Sequence, residues 1–145
     1  MKTKIDYKNK EIIEKLYVHD AYFTGFKYDY PENRIYIEAI EYYYGKKFHI
    51  TFHDVIFFEM QSLDFWGKSL RILDWELCAK KNSSFEEIIE NNKEDFKYAR
   101  RKNVEDIIES VIVITSGDTL TIFCDNIDFV EETYHGAQES MKSNE

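Results

Sequence analysis

The chain has 145 residues, of which 43% are hydrophobic, 32% charged and 17% aromatic, and its net charge is −9 at pH 7. That size and balance fit one globular domain over residues 1–145. The acidic charge argues against direct nucleic-acid binding, because phosphate contacts need Lys and Arg to displace counterions, and no apolar stretch reaches the ~20 residues of a membrane span.

Cys78 and Cys124 lie far apart and form no close pair, so free thiols in a reducing compartment are expected. Residues 1–10 are polar and lack an apolar signal segment. The expected location is the cytoplasm.

In chain order, Ile12, Ile13 and Leu16 give residues 8–16 the spacing of a short helix. Residues 18–30 read as a strand, with Tyr22, Phe26, Tyr28 and Tyr30 expected on one face. Pro31, Glu32 and Asn33 form a turn in which the proline ring fixes φ. Residues 34–44 are a second strand. Its apolar phase slips between Ala39 and Ile40, which predicts a β-bulge there. Residues 47–60 are a third strand, broken near Asp54. Before the break Phe48, Ile50 and Phe52 alternate with Lys47, His49, Thr51 and His53. After it Val55, Ile56, Phe57 and Phe58 are continuous, which predicts burial on both faces or another bulge.

Residues 61–68 read as a loop carrying Trp66, and residues 70–78 as a fourth strand with Leu73, Trp75 and Leu77 on one face. Ser83 with Glu86, or Ser84 with Glu87, makes a capping box that opens the principal helix. Phe85, Ile88, Ile89 and Phe96 supply its apolar stripe, and Lys97, Arg100, Arg101 and Lys102 suit its C-terminal end. Residues 111–115 and 119–124 form a late hairpin, and Ile127 and Phe129 extend the sheet. Residues 136–145 are polar and expected to fray. The fold class expected is α+β: a mainly antiparallel sheet, built from a meander and a late hairpin, with one principal helix and a short N-terminal helix.

The candidate chemistry is sparse. His49 and His53 are four residues apart, but on a strand that spacing puts them ~13 Å from each other, too far to share a metal ion. No metal site is expected. His19 with Asp54, or Asp20 with His53, could meet across strands for acid–base work. An aspartate that caps a turn or bulge explains the same pattern. Tyr43, within the run Tyr42–Tyr43–Tyr44, and Asp64 with Trp66 are candidate partner contacts, because exposed Tyr and Trp concentrate at interfaces. Stacking within the fold competes with that role for each aromatic. There is no phosphate-cradling glycine loop, no Gly-x-Ser-x-Gly elbow and no His-Glu-x-x-His pair, and no cofactor is expected.

The succession VHDAYFTGFKYD, RIYIEAIEYYYGKKFHITFHDVIFFE and SVIVITSGDTLTIFCDN resembles small acidic β-rich proteins of Gram-positive bacteria. Some of these lie in polymorphic-toxin loci and are classed as immunity-like proteins. The resemblance lies in a layout: a first strand with His-Asp, a meander whose third strand ends in Phe-x-x-Val (here Phe52 to Val55), and a late hairpin. It implies a non-enzymatic protein that binds another protein, and it prescribes no functional residue.

The function expected is therefore a non-catalytic cytoplasmic binding module, of the kind that inhibits a basic toxin domain, with Tyr43, Asp64 and Trp66 in contact. The alternative is a small-molecule binder or enzyme using an aromatic-lined sheet cavity with His19, Asp20, His53 and Asp54. A homodimer through an exposed strand edge is a third reading. Neither nucleic acid nor a membrane is an expected partner.

Overall fold

The structure is a computed structural model that describes residues 2–60, 70–78, 83–92, 94, 106–115 and 117–135. Among the described residues nine strands, all paired antiparallel, form two sheets. They are β1 (Lys2–Ile5), β2 (Tyr22–Asp29), β3 (Arg34–Glu41), β4 (Lys46–His53), β5 (Phe57–Met60), β6 (Ile72–Cys78), β7 (Ile108–Ile114), β8 (Thr119–Cys124) and β9 (Asn126–Thr133). The first sheet has the order β1-β9-β4-β3-β2 and the second β5-β8-β7-β6. A 3-10 helix covers Lys10–Lys15 and an α-helix, α1, covers Ser83–Asn91.

The sheets face each other over one core. Ile35, Ile37, Phe48, Ile50, Phe52, Ile127 and Phe129 come from the first, and Ile72, Trp75, Ile112, Ile114, Leu120 and Ile122 from the second. Each set follows a period of two within its strand, as half-buried strands require, except in β6, where Ile72 and Trp75 are three apart. Phe129 joins the layers, stacking on Trp75 at 6.0 Å and lying 5.5 Å from Phe48, centroid to centroid. Burying each such side chain contributes ~1.5–3 kcal/mol, so sheet-to-sheet packing dominates the stability.

Two junctions tie the sheets together. At the first, the β4–β9 ribbon bends into β5–β8: Asp54 takes φ 53°, Asp125 N–H donates to the His53 carbonyl, and Ile56 N–H donates to the Phe123 carbonyl. The break expected near Asp54 is this corner, where strands change sheets through a local bend. At the second, Asp20 N–H donates to the Ile72 carbonyl, Ile72 N–H to the Ala21 carbonyl and Phe23 N–H to the Leu70 carbonyl, so the start of β2 lies against the start of β6.

β8 is buried on both faces. Ile122 points into the sandwich, while Phe123 joins Ile107 beneath Ile56, Phe57 and Ile88 of α1. The continuous run from Val55 to Phe58 has the same cause, with Val55 and Phe58 on the sandwich side and Ile56 and Phe57 on the other.

Several expectations are corrected. The architecture is mostly β rather than α+β around a principal helix: among the described residues the core is built by the two sheets, and Ile88 of α1 packs on the outer face of the second. Ser83–Asn91 is helical as expected, while Phe96, Lys97, Arg100, Arg101 and Lys102 of the expected helix lie outside the described residues. The bulge expected at Ala39–Ile40 lies instead in β2, between Phe23 and Gly25; β3 pairs with β4 without interruption from Arg34 to Glu41. The shift moves Tyr22 off the phase of Phe26 and Tyr28, and Tyr30 lies in the exposed turn beyond the strand. In β6 a register shift between Ile72 and Asp74 turns Leu73 outward, away from buried Trp75 and Leu77. β1 was not anticipated, because its Lys2 and Lys4 hide the strand pattern. The expected loop with Asp64 and Trp66, the basic residues Lys97, Arg100, Arg101 and Lys102, and the tail 136–145 lie outside the described residues.

Candidate partner-binding groove

The 3-10 helix is set by its approach. Asp6 and Asn9 exchange hydrogen bonds: the Asn9 Oδ1 accepts from Asp6 N–H at 2.7 Å, and the Asp6 Oδ1 accepts from Lys8 and Asn9 N–H. Ile13 anchors the helix in the core, and Leu16 N–H donates to the Ile13 carbonyl to close it. The chain then runs out through alternating residues. Val18 and Ala21 are buried, while Tyr17, His19 and Asp20 are exposed. Asp20 has φ 67°, a left-handed conformation that Asp tolerates better than most residues, and it turns the chain into β2.

Between this segment and β6 lies a cavity of about 690 Å3. One wall carries Ile13, Leu16 and Tyr17, and the other Leu73, Trp75 and Leu77. Tyr17 is 65% exposed and Leu73 38%. The polar groups on the walls are His19, Glu14, Asp74 and Glu76. His19 Nδ1–H donates to the Leu73 carbonyl at 2.7 Å, and its Nε2 lies 3.6 Å from the Asp20 carboxylate. The Nδ1 proton is fixed by its partner, since a carbonyl only accepts.

The three carboxylates are uncancelled: among the described residues no Lys or Arg pairs with Glu14, Asp74 or Glu76. Asp74 lies against Glu76 and holds its carboxyl above the usual range, first through a hydrogen bond between the side chains and then through like charge. Two adjacent carboxylates favour a cation between them.

Tyr43 sits in the β3–β4 turn, 76% exposed, packed edge-on against Tyr44 at 4.7 Å. Buried Glu41 fixes this turn by accepting the N–H of Tyr43 at 2.9 Å and of Tyr44 at 2.6 Å. A ladder leads from it toward the groove: Tyr42 contacts Tyr134 and Tyr22, and the Arg71 guanidinium lies 5.4 Å over the Tyr22 ring. Arg71 is followed in β6 by Ile72 and Leu73. The tyrosine turn and the groove thus share one end of the molecule.

The four residues of the alternative site are not brought together. His19 and Asp20 precede the Tyr22 end of β2, whereas the Asp29 end of β2 pairs with Arg34, which pairs with His53. The length of β2 separates the two groups by roughly 20 Å. His53 Nε2 instead meets the Asp128 carboxylate of β9 at 2.8 Å, and Asp54 serves the corner. His49 is held between Glu38 at 3.3 Å and Glu132 at 2.9 Å, and its hydrogen bond keeps the Glu132 carboxyl below the usual range. Among the described residues no set of three His, Cys, Asp or Glu side chains is placed to hold a metal ion. No described helix is long and apolar enough to cross a membrane.

Glu14, Tyr17 and Glu76 were not singled out by the sequence pattern. The available signal was the alternation of β6, whose exposed positions after Leu73 are acidic. The pairing of that strand with the 3-10 helix segment had no counterpart in the sequence pattern. No protein-family model matches the chain, and a search of curated proteins gives no significant match.

Proposed function

We propose that this protein is a non-catalytic, acidic binding module whose groove beside β6 takes a basic protein, in the manner of an immunity-type inhibitor of a toxin domain. The observation that carries the reading is the set of carboxylates, Glu14, Asp74 and Glu76, which no Lys or Arg among the described residues pairs with, on walls that also expose Tyr17 and Leu73. Apolar contact supplies affinity, and the carboxylates supply steering and choice of partner. A nuclease domain is basic where it holds its substrate, so an acidic groove complements it. Tyr43 and Tyr44 add exposed, rigid aromatic area at the β3–β4 turn. The net charge of −9 strengthens the attraction at a distance. On this reading the protein works in the cytoplasm, where the buried free thiol of Cys124 stays reduced.

The test is calorimetric titration with the basic protein that co-purifies with the tagged chain. Asp74→Lys combined with Glu76→Lys should weaken binding by about a hundredfold, about 2.7 kcal/mol. Unchanged affinity would overturn the reading, and so would failure to recover any basic partner at near-stoichiometric yield.

A second reading, a small-molecule binder or enzyme, is favoured by one observation. The cavity volume of about 690 Å3 falls within the ~300–1,000 Å3 of ligand pockets, and His19 stands at its lip. On that reading His19 and Asp20 act without His53 and Asp54. Saturable binding of a metabolite that broadens the His19 ring resonances, with no effect from His53→Ala, would favour it.

A further inference from the structure

We infer that the outer edge of β6 is a strand-addition site, and that what it takes is an extended segment of the partner with Lys or Arg at alternate positions; this rests on the groove reading above.

β6 ends the second sheet, with β7 on one side. Along its other side the start of the strand is occupied, since Ala21 and Phe23 bond to Ile72 and Leu70. From Leu73 onward that side faces the groove. In an antiparallel strand every second residue sends its N–H and C=O to the same side. Two bonds identify the outward set after the register shift. His19 takes the Leu73 carbonyl, and the Asp74 carboxylate takes the Trp75 N–H at 2.9 Å. Leu73, Trp75 and Leu77 therefore present their main chain outward. The Trp75 carbonyl and both main-chain groups of Leu77 have no backbone partner among the described residues. An edge with unpaired groups, walled on its far side by Leu16 and Tyr17, is a slot for one more strand.

The side chains decide what strand fits. Asp74 and Glu76 stand exposed on the outer face of β6, while Trp75 and Leu77 point into the core. An added strand has the same alternation. One set of its side chains would lie beside Asp74 and Glu76, and the other set would meet Ile13 and Leu16. Cations on the first set satisfy the carboxylates, and apolar residues on the second cover the helix wall. A second copy of this chain does not fit. Two β6 edges side by side would bring Asp74 and Glu76 against their own counterparts, where one carboxyl already resists ionising beside the other. The carboxylates thus reject self-pairing and admit a basic segment.

The experiment uses the full chain and a short synthetic peptide of alternating Val and Lys. Its controls are the same peptide N-methylated on alternate residues, which cannot pair on one edge, and a Val–Glu counterpart. Binding is read from amide shifts and from hydrogen exchange at Leu77. The Val–Lys peptide should bind and slow exchange of the Leu77 amide by about tenfold, methylation of one of the two alternate sets should abolish binding, and the Val–Glu peptide should not bind. Equal binding by both methylated forms, or an unchanged Leu77 amide, would overturn strand addition while leaving charge recognition in the groove intact. Absence of any binding by the Val–Lys peptide would overturn both. The decisive change is made in the peptide, so folding of the protein does not enter.

Discussion

The indole Nε1–H of Trp75 donates to the Ser110 Oγ at 2.9 Å, in the fully buried interior between β6 and β7. The residue that floors the groove is thereby fixed to the core, and its ring is fixed again by the stack on Phe129. Replacing Ser110 by Ala leaves a buried N–H without its acceptor, which costs about 1–3 kcal/mol. The expected result is a lower urea midpoint at unchanged slope, the mark of lost stability without a change in the unfolded ensemble. A midpoint equal to that of the parent would show that the indole finds another acceptor.

Glu41 is the corresponding fixture for the tyrosine turn. Its two oxygens accept two main-chain N–H groups from a position only 7% exposed. Charge-assisted bonds to such a group are worth about 1.5–3 kcal/mol each at most. Glu41→Ala should cost about 2 kcal/mol, with Glu41→Gln costing less because the amide keeps one acceptor. The same variant should loosen the Tyr43–Tyr44 pair, visible as loss of the cross-peaks between their rings. Intact cross-peaks in Glu41→Ala would show that strand pairing alone orders the turn.

What could be read beforehand divides along physical lines. The sheet strands were legible because their cores keep a strict period of two, as with Phe48, Ile50 and Phe52, and because Asp54 interrupts that period where the chain changes sheets. Leu73 was misread because a single extra residue reverses every later side chain, and a bulge leaves no mark in composition. β1 was missed because an edge strand needs few apolar residues, and its Lys2 and Lys4 read as solvent. The groove was not legible at all. It is made by the 3-10 helix segment meeting β6 across about sixty residues of sequence, a long-range contact that local pattern does not encode.

The Asp74–Glu76 pair makes stability depend on pH. An acid whose carboxyl is raised in the folded state binds its proton more tightly there than in the unfolded chain. Its favourable contribution is complete below the ordinary glutamate range and is lost as pH rises through the raised value. Above that window both carboxylates are ionised and repel. Glu76→Gln should therefore raise Tm at about pH 7 and leave it unchanged near pH 3, where the parent carries the proton as well. A gain of equal size at both values would trace to packing instead of charge. A cationic partner seated on the pair should also favour the ionised Glu76 carboxyl, so binding at a pH where that carboxyl still holds its proton should release protons to the buffer, detectable by calorimetry in buffers of different ionisation enthalpy.

Cys124 reports on the corner between the sheets. Burial pushes its thiol far above the ordinary range, and the neighbouring charges of Asp125 and Asp54 push in the same direction. The thiolate is the reactive form, so a thiol that is both buried and held protonated should be inert toward a disulfide reagent. On a Cys78→Ser background the native protein should show no labelling of Cys124, and labelling should begin with denaturant in step with loss of the core. Asp54→Asn removes one of the two charges but not the burial, which is the larger cause, so the native thiol should remain inert. Prompt labelling in native buffer would mean that β4–β5 and β8–β9 open at the corner without global unfolding. The bends at Asp54 and Asp125 would then be a point of local opening instead of a fixed joint between the sheets.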